Sequence, residues 1–212
     1  MRKTMVDTQI RPNQVDDEIA LNAILATPRE AFIPRALHGV AYSDANLSLG
    51  GGRFVMEPLV LARLLQAAAI QAEDIVLAIG CATGYSAAVL SHMAGTVVAI
   101  ESESVLVEKA TDNLSGLEID TVAVMQNELK KGYPTQAPFD TIFFDGAVDE
   151  IPTDIADQLA ENGRLVAVVK ADGDVGKGVL VTRRNGKLNR REVFNAEIPY
   201  LPGFEPAAAF EF

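Results

Sequence analysis

Residues 74–90 read D-I-V-L-A-I-G-C-A-T-G-Y-S-A-A-V-L. The first six form a short apolar run that stops at Gly80, which is the pattern of a strand buried on both faces of a parallel sheet. Residues 85–93 then read as a helix. The rest of the chain repeats this order of strand, turn and helix. Residues 96–100 (T-V-V-A-I) are a second strand and 103–114 a second helix. Residues 121–125 and 141–144 are two more buried strands, 153–160 are helical, and 164–169 are a strand. Such alternation produces a parallel sheet covered on both faces. Upstream, residues 15–26 read as a helix with acids in its first turn, ended by Thr27-Pro28. Residues 59–69 have helical composition, with Pro58 placed as the first helical residue.

The alternation breaks near the end. Residues 178–184 and 187–194 flank Asn185-Gly186, and Asn-Gly between strand-like runs marks a hairpin because both residues tolerate the positive φ of a type I′ turn. The expected fold is therefore α/β and Rossmann-like, of the methyltransferase type. Its sheet is mainly parallel and seven-stranded and ends in a C-terminal antiparallel hairpin, the strand order resting on analogy. The expected organisation is one domain: an N-terminal helical, substrate-side segment over residues 1–58, packed on a core over 59–212.

The chain has 212 residues, 49% of them hydrophobic and 22% charged, with a formal net charge of −11. That balance carries no basic footprint for nucleic acid or for an anionic membrane. No apolar run is long enough to cross a bilayer, and the N-terminal residues contain no apolar stretch of the secretory kind. The single cysteine, Cys81, excludes an internal disulfide, and together these features point to a cytoplasmic protein. His38 and His92 lie on separate segments with no motif around them, so no metal site is expected.

Ligands of open α/β sheets bind beyond the C-terminal ends of the strands. The first such turn here, residues 80–84, reads G-C-A-T-G, which lacks the G-x-G-x-x-G spacing of a pyrophosphate site. Residues 172–178 (D-G-D-V-G-K-G) are too short for a phosphate loop, and Val179 follows where Ser or Thr should stand; they read as a polar lead into the hairpin. Glu101 closes the second strand. It reads either as a solvated acid favoured at the start of the next helix or as the acceptor for two ribose hydroxyls. The glycine turn at the right distance favours the ribose. A ribose acid without a pyrophosphate fingerprint suggests an adenosine ligand without phosphates, S-adenosylmethionine above all.

At this point the chain resembles the protein-L-isoaspartate O-methyltransferases, over about residues 5–204. Residues 27–34 (T-P-R-E-A-F-I-P) and 41–50 (A-Y-S-D-A-N-L-S-L-G) look like the family's Pro-Arg-x-x-Phe-Val-Pro and Ala-Tyr-x-Asp-x-x-Leu-x-x-Gly stretches. Residues 76–90 look like its cofactor loop and following helix, 152–165 (P-T-D-I-A-D-Q-L-A-E-N-G-R-L) like its Pro-x-x-Leu-x-x-Gln-Leu segment, and 198–203 (I-P-Y-L-P-G) like its Phe-Val-Pro-Leu segment. The order and spacing of these stretches carry the resemblance. It implies a cytoplasmic monomer that binds S-adenosylmethionine and methylates the carboxylate of isoaspartyl residues in damaged proteins. Carried over by position, Gly80, Cys81, Ala82 and Gly84 form the turn under the methionine part of the cofactor and Glu101 holds the ribose. Glu128 lies where the family has an acid near the adenine; an exposed loop acid is the equal alternative.

The chain also departs from that pattern. Ala78 stands where the family usually has an acid, and Ala82 at the middle glycine of the turn. Cys81 has no paired histidine, which favours a small packed side chain over a nucleophile. Residues 48–58 (S-L-G-G-G-R-F-V-M-E-P) match the family's Gly-x-Gly-Gln-Thr-Ile-Ser-Gln-Pro, with Phe54 for the Thr, Met56 for the Ser and Glu57 for the following Gln. Attack of an ionised carboxylate on a sulfonium methyl needs no base, only in-line placement and exclusion of water. A lost hydroxyl therefore removes a positioning contact, and Arg53 offers a replacement as a bidentate clamp on the substrate carboxylate. The structural alternative makes Phe54 a core anchor, Arg53 a surface residue, Met56 a staple against Leu61 and Glu57 a helix-start acid; it is slightly favoured.

Overall fold

The computed structural model describes residues 1–171 and 174–206. The chain begins with α1 (Arg2–Met5) and continues to α2 (Glu18–Ala26), whose start is fixed by the Asp17 carboxylate accepting from the Ile19 and Ala20 amides. A small hairpin follows, β1 (Leu47–Gly50) against β2 (Arg53–Val55), forming a sheet of its own. Then come α3 (Pro58–Ala68), β3 (Ile75–Ile79), α4 (Tyr85–Ser91), β4 (Thr96–Glu101), α5 (Ser104–Gly116) and β5 (Val122–Gln126). The second half runs through β6 (Phe139–Val148), α6 (Thr153–Ala156), β7 (Leu159–Val169), β8 (Lys177–Arg184) and β9 (Lys187–Asn195).

The main sheet has seven strands in the order β5-β4-β3-β6-β7-β8-β9. The first five are parallel and the last two antiparallel. The chain steps one way from β3 to β4 and β5, then returns to the other side of β3 with β6. The crevice where the order reverses thus lies at the C-terminal ends of β3 and β6. The closing turn is Asn185-Gly186, at φ 50° and 70°, the left-handed pair that the Asn-Gly signal implies.

Strand residues alternate between two cores, as a two-residue period requires. Val76, Ala78, Val97, Ala99, Phe143, Val166 and Val168 join one core with α3, α4 and the N-terminal residues Met5, Val6 and Ile10. Leu77, Ile79, Val98, Ile100, Ile142, Phe144, Leu165 and Ala167 join the other, where Ile155, Leu201 and Phe204 cover them. Residues 1–58 thus pack on one face of the sheet.

The structure corrects the expected helix over residues 153–160. It stops at Ala156, and Leu159 already pairs with Phe139 as the start of β7. Between them the Gln158 side chain bridges loops: its Oε1 accepts from the Tyr133 amide at 2.7 Å and its Nε2 donates to the Lys131 carbonyl at 2.8 Å. Tertiary pairing here overrides local helix preference. Asp172 and Gly173 of the glycine-rich lead, and residues 207–212 at the C-terminus, lie outside the described residues. Among the described residues no helix is long and apolar enough to cross a membrane, and none of their His, Cys, Asp and Glu side chains gather in threes that could hold a metal ion.

Candidate active site

Three strand ends meet at the crevice. From β3 comes the turn over residues 80–84. The Gly80 amide donates to the Ile100 carbonyl at 2.9 Å and the Gly84 amide to the Cys81 carbonyl at 2.7 Å, which winds the turn tightly. Gly80 is at φ 81°, a conformation open to glycine, and Ala82 is held at φ 48°, where its Cβ is strained by roughly 1–2 kcal/mol. Cys81 is buried, and burial pushes its thiol well up, with Glu101 and Asp145 adding to the shift. Cys81 is thus a free thiol packed away from solvent beneath the turn.

From β4 comes Glu101, with no exposed surface. Its Oε2 accepts from the Ala82 amide at 2.8 Å and pairs with Arg53 Nη2. Its Oε1 accepts from the Ser102 amide at 2.8 Å, the Ser102 hydroxyl at 3.2 Å and the Glu103 amide at 3.4 Å. Arg53, expected as a surface residue or as a clamp on the substrate carboxylate, is instead buried and paired with Glu101, 48 residues away. The β1–β2 hairpin makes that reach possible by laying β2 across the crevice, with Arg53, Phe54 and Val55 all buried.

From β6 comes Asp145, a residue the sequence reading passed over. It is buried and accepts a hydrogen bond from the Ser86 hydroxyl on α4. Burial pushes its carboxyl up to about 6, against the Ser86 hydrogen bond and the nearby Arg53 charge, which pull it down. The signal that could have found it is the one that found Glu101: an acid directly after an apolar strand run. Beneath the crevice, Arg29 is buried with its guanidinium 4.9 Å from the centre of the Tyr85 ring. Burial lowers the pKa of Arg29 and raises that of Tyr85.

Met56 is 1% exposed and belongs to the core. Glu128 follows β5 on the surface, paired with Lys131 at 2.9 Å. Glu57 precedes α3 without a side-chain cap: its carbonyl accepts from the Leu61 amide at 3.2 Å, and its amide donates to Asn46 Oδ1 at 3.0 Å. Burial and then the neighbouring Asp44 push its carboxyl up. An open cavity of about 550 Å³ lies beside the site, lined among others by Phe32, Ile33, Leu49, Leu106 and Lys109. Of the turn it touches only Thr83, and it does not reach Glu101.

A seven-stranded sheet of this order, with a glycine turn after its first strand and an acid closing its second, defines a Rossmann-like methyltransferase. The sequence profile of the protein-L-isoaspartate(D-aspartate) O-methyltransferases matches residues 1–202. A protein-L-isoaspartate O-methyltransferase 1 of Rhodopseudomonas palustris (strain HaA2) is 37% identical over 201 residues, covering 95% of this chain and 82% of its own. One of Koribacter versatilis (strain Ellin345) is 35% identical over 209 residues, with 97% and 94% covered. A solved structure of a protein-L-isoaspartate O-methyltransferase superposes with a TM-score of 0.84 at 25% identity, covering 96% of this chain and 66% of that one. A putative enzyme of the same name from Plasmodium falciparum, solved with S-adenosyl-L-homocysteine, is alike in fold, with a TM-score of 0.82 at 20% identity and 94% and 97% covered. The chain belongs to the protein-L-isoaspartate(D-aspartate) O-methyltransferase family, whose methyl donor is S-adenosylmethionine.

The residues present do not fit that donor in this conformation. A carboxylate oxygen offers about two lone-pair positions; Glu101 Oε2 already faces two donors, one of them Arg53 Nη2, and Oε1 faces three. No acceptor is left for a ribose. The space over the turn is also taken. A Cβ built on Gly80 would lie 2.6 Å from Leu201 Cδ2 and 3.3 Å from Arg53 Nη2.

Proposed function

We propose that this chain keeps its family's reaction, methyl esterification of the isoaspartyl carboxylate in damaged proteins. The observation that carries this reading is a family match over residues 1–202, in a chain that gathers the glycine turn, Glu101 and Asp145 at one crevice. An isoaspartyl carboxylate is ionised at neutral pH, so this chain need not remove a proton from it. Its part is to seat the carboxylate and keep water out. In this reading residues 80–84 and Glu101 form the donor side, with Glu128 at its adenine edge. Phe54 and, once released from Glu101, Arg53 face the substrate side, and Met56 supports it from the core. We also read the chain as one domain, its residues 1–58 and 59–212 sharing a core, and as a cytoplasmic monomer with an acidic surface.

The test is transfer of a labelled methyl group to an isoaspartyl peptide, with the aspartyl isomer as control. Label on the isoaspartyl peptide alone is expected. Equal labelling of both, or labelling of neither by a protein that binds the donor, overturns the reading. A second reading has one observation behind it. Phe54 and Met56, 5% and 1% exposed, leave no hydroxyl where the family has two, which suits a methyltransferase acting on a substrate that is not anionic. Transfer to neutral peptides but not to isoaspartyl ones would favour it.

A further inference from the structure

We propose that Arg53 is a built-in competitor for the ribose of the methyl donor, and that the donor enters only after Arg53 leaves Glu101. The inference rests on the proposed function only for the identity of the donor.

The pair is dry. The Arg53 side chain is 3% exposed and that of Glu101 0%, so neither water nor salt weakens it as they would at a surface. Arg53 and a ribose hydroxyl would bond the same carboxylate, but the guanidinium adds the attraction of a full opposite charge in a dry site, which a neutral hydroxyl lacks. In direct competition the sugar loses. The lock has a second part. Leu201, from the segment after β9, fills the space over both Gly80 and Gly146. A Cβ on Gly146 would lie 2.7 Å from Leu201 Cγ and 3.3 Å from Phe54 Cζ. The crevice is therefore closed from both sides by the protein's own side chains.

The hairpin that carries Arg53 is built to let it go. Residues 50, 51 and 52 are glycines at φ 86°, 57° and 76°, and β1 and β2 pair only with each other, apart from the main sheet. The backbone before Arg53 can change conformation without the barriers a Cβ imposes. Glu101 also survives the loss of Arg53, because the amides of Ala82 and Ser102 still hold its two oxygens. The locked and open states thus differ by one side chain and a short hairpin. The locked state lowers the apparent affinity by the fraction of molecules that are open.

Calorimetric titration with S-adenosyl-L-homocysteine tests this on the wild type, Arg53→Gln and Leu201→Ala, with folding checked by thermal melts. Arg53→Gln is expected to bind at least tenfold more tightly than the wild type, and Leu201→Ala several-fold more tightly. Equal dissociation constants in the wild type and folded Arg53→Gln overturn the proposal. So does the absence of binding by either variant, since the site would then be lost rather than locked. If Arg53→Gln does not fold, Leu201→Ala decides: tighter binding supports the lock and unchanged binding sinks it. Failure of the proposed function looks different. Tight binding by Arg53→Gln without transfer to isoaspartyl peptide leaves the lock standing and removes the reaction.

Discussion

Two arginine–carboxylate pairs, one buried and one partly exposed, sit at opposite ends of the same sheet. At the C-terminal ends of the strands Arg53 holds Glu101; at the N-terminal ends Arg164 holds Asp74. The chemistry is alike. Asp74 Oδ2 also accepts from the Thr141 hydroxyl at 3.0 Å and the Gln71 amide at 3.1 Å, and Arg164 reaches Thr141 at 3.1 Å. That lower pair ties β3, β6 and β7 together where no ligand binds in such sheets, so its role is to hold the strands. The upper pair lies where the ligand belongs. Position in the fold, not the kind of interaction, separates a brace from a lock.

The comparison breaks first at Glu101. Glu101→Ala strands the Arg53 guanidinium in a dry pocket, and removing one partner of a buried pair costs about 3–5 kcal/mol. Denaturant unfolding should show that loss; a loss below about 1 kcal/mol would mean that Arg53 escapes to solvent at little cost. Next comes Asp145. Its carboxyl is raised from 3.8 to about 6, so the folded state holds the proton more tightly than the unfolded one. Its contribution to stability is fully present below about pH 4 and is lost as pH rises through about 6, by roughly 3 kcal/mol at most. Asp145→Asn removes this loss. The stability of the variant relative to wild type should therefore climb between pH 4 and 7, and a flat difference would rule the titration out.

Asp74→Asn weakens the lower pair. Arg164 is 22% exposed and keeps Thr141, so the expected loss is about 2 kcal/mol, less than for a fully buried pair. Affinity for S-adenosyl-L-homocysteine should not change, and a change in affinity would erase the distinction between brace and lock. The smallest effect is at the turn. Ala82→Gly relieves a left-handed alanine and should raise stability by about 1 kcal/mol, seen as roughly 2–4 °C in the melting temperature.

Much of this architecture was legible without coordinates. Apolar runs such as residues 74–79 and 96–100 mark buried strands because burial on both faces leaves a purely local signature. The Asn185-Gly186 turn is local too. Where a segment's fate hangs on a distant partner, the reading slipped: residues 157–160 look helical, yet Phe139 takes Leu159 into a strand. The site was half legible. Glu101 and the turn announce themselves by spacing from strand ends, while Asp145 gives the same signal and was passed over.

The sequence by itself determined the class of fold, the family and the place of the crevice, because strand periods, turn residues and motif order are properties of neighbours in the chain. Only the tertiary structure decided what fills the crevice. Arg53 meets Glu101 across 48 residues, and Leu201 meets Gly80 from the far end of the chain. Such contacts arise from how the hairpin and the C-terminal segment pack on the sheet, and no local pattern encodes them.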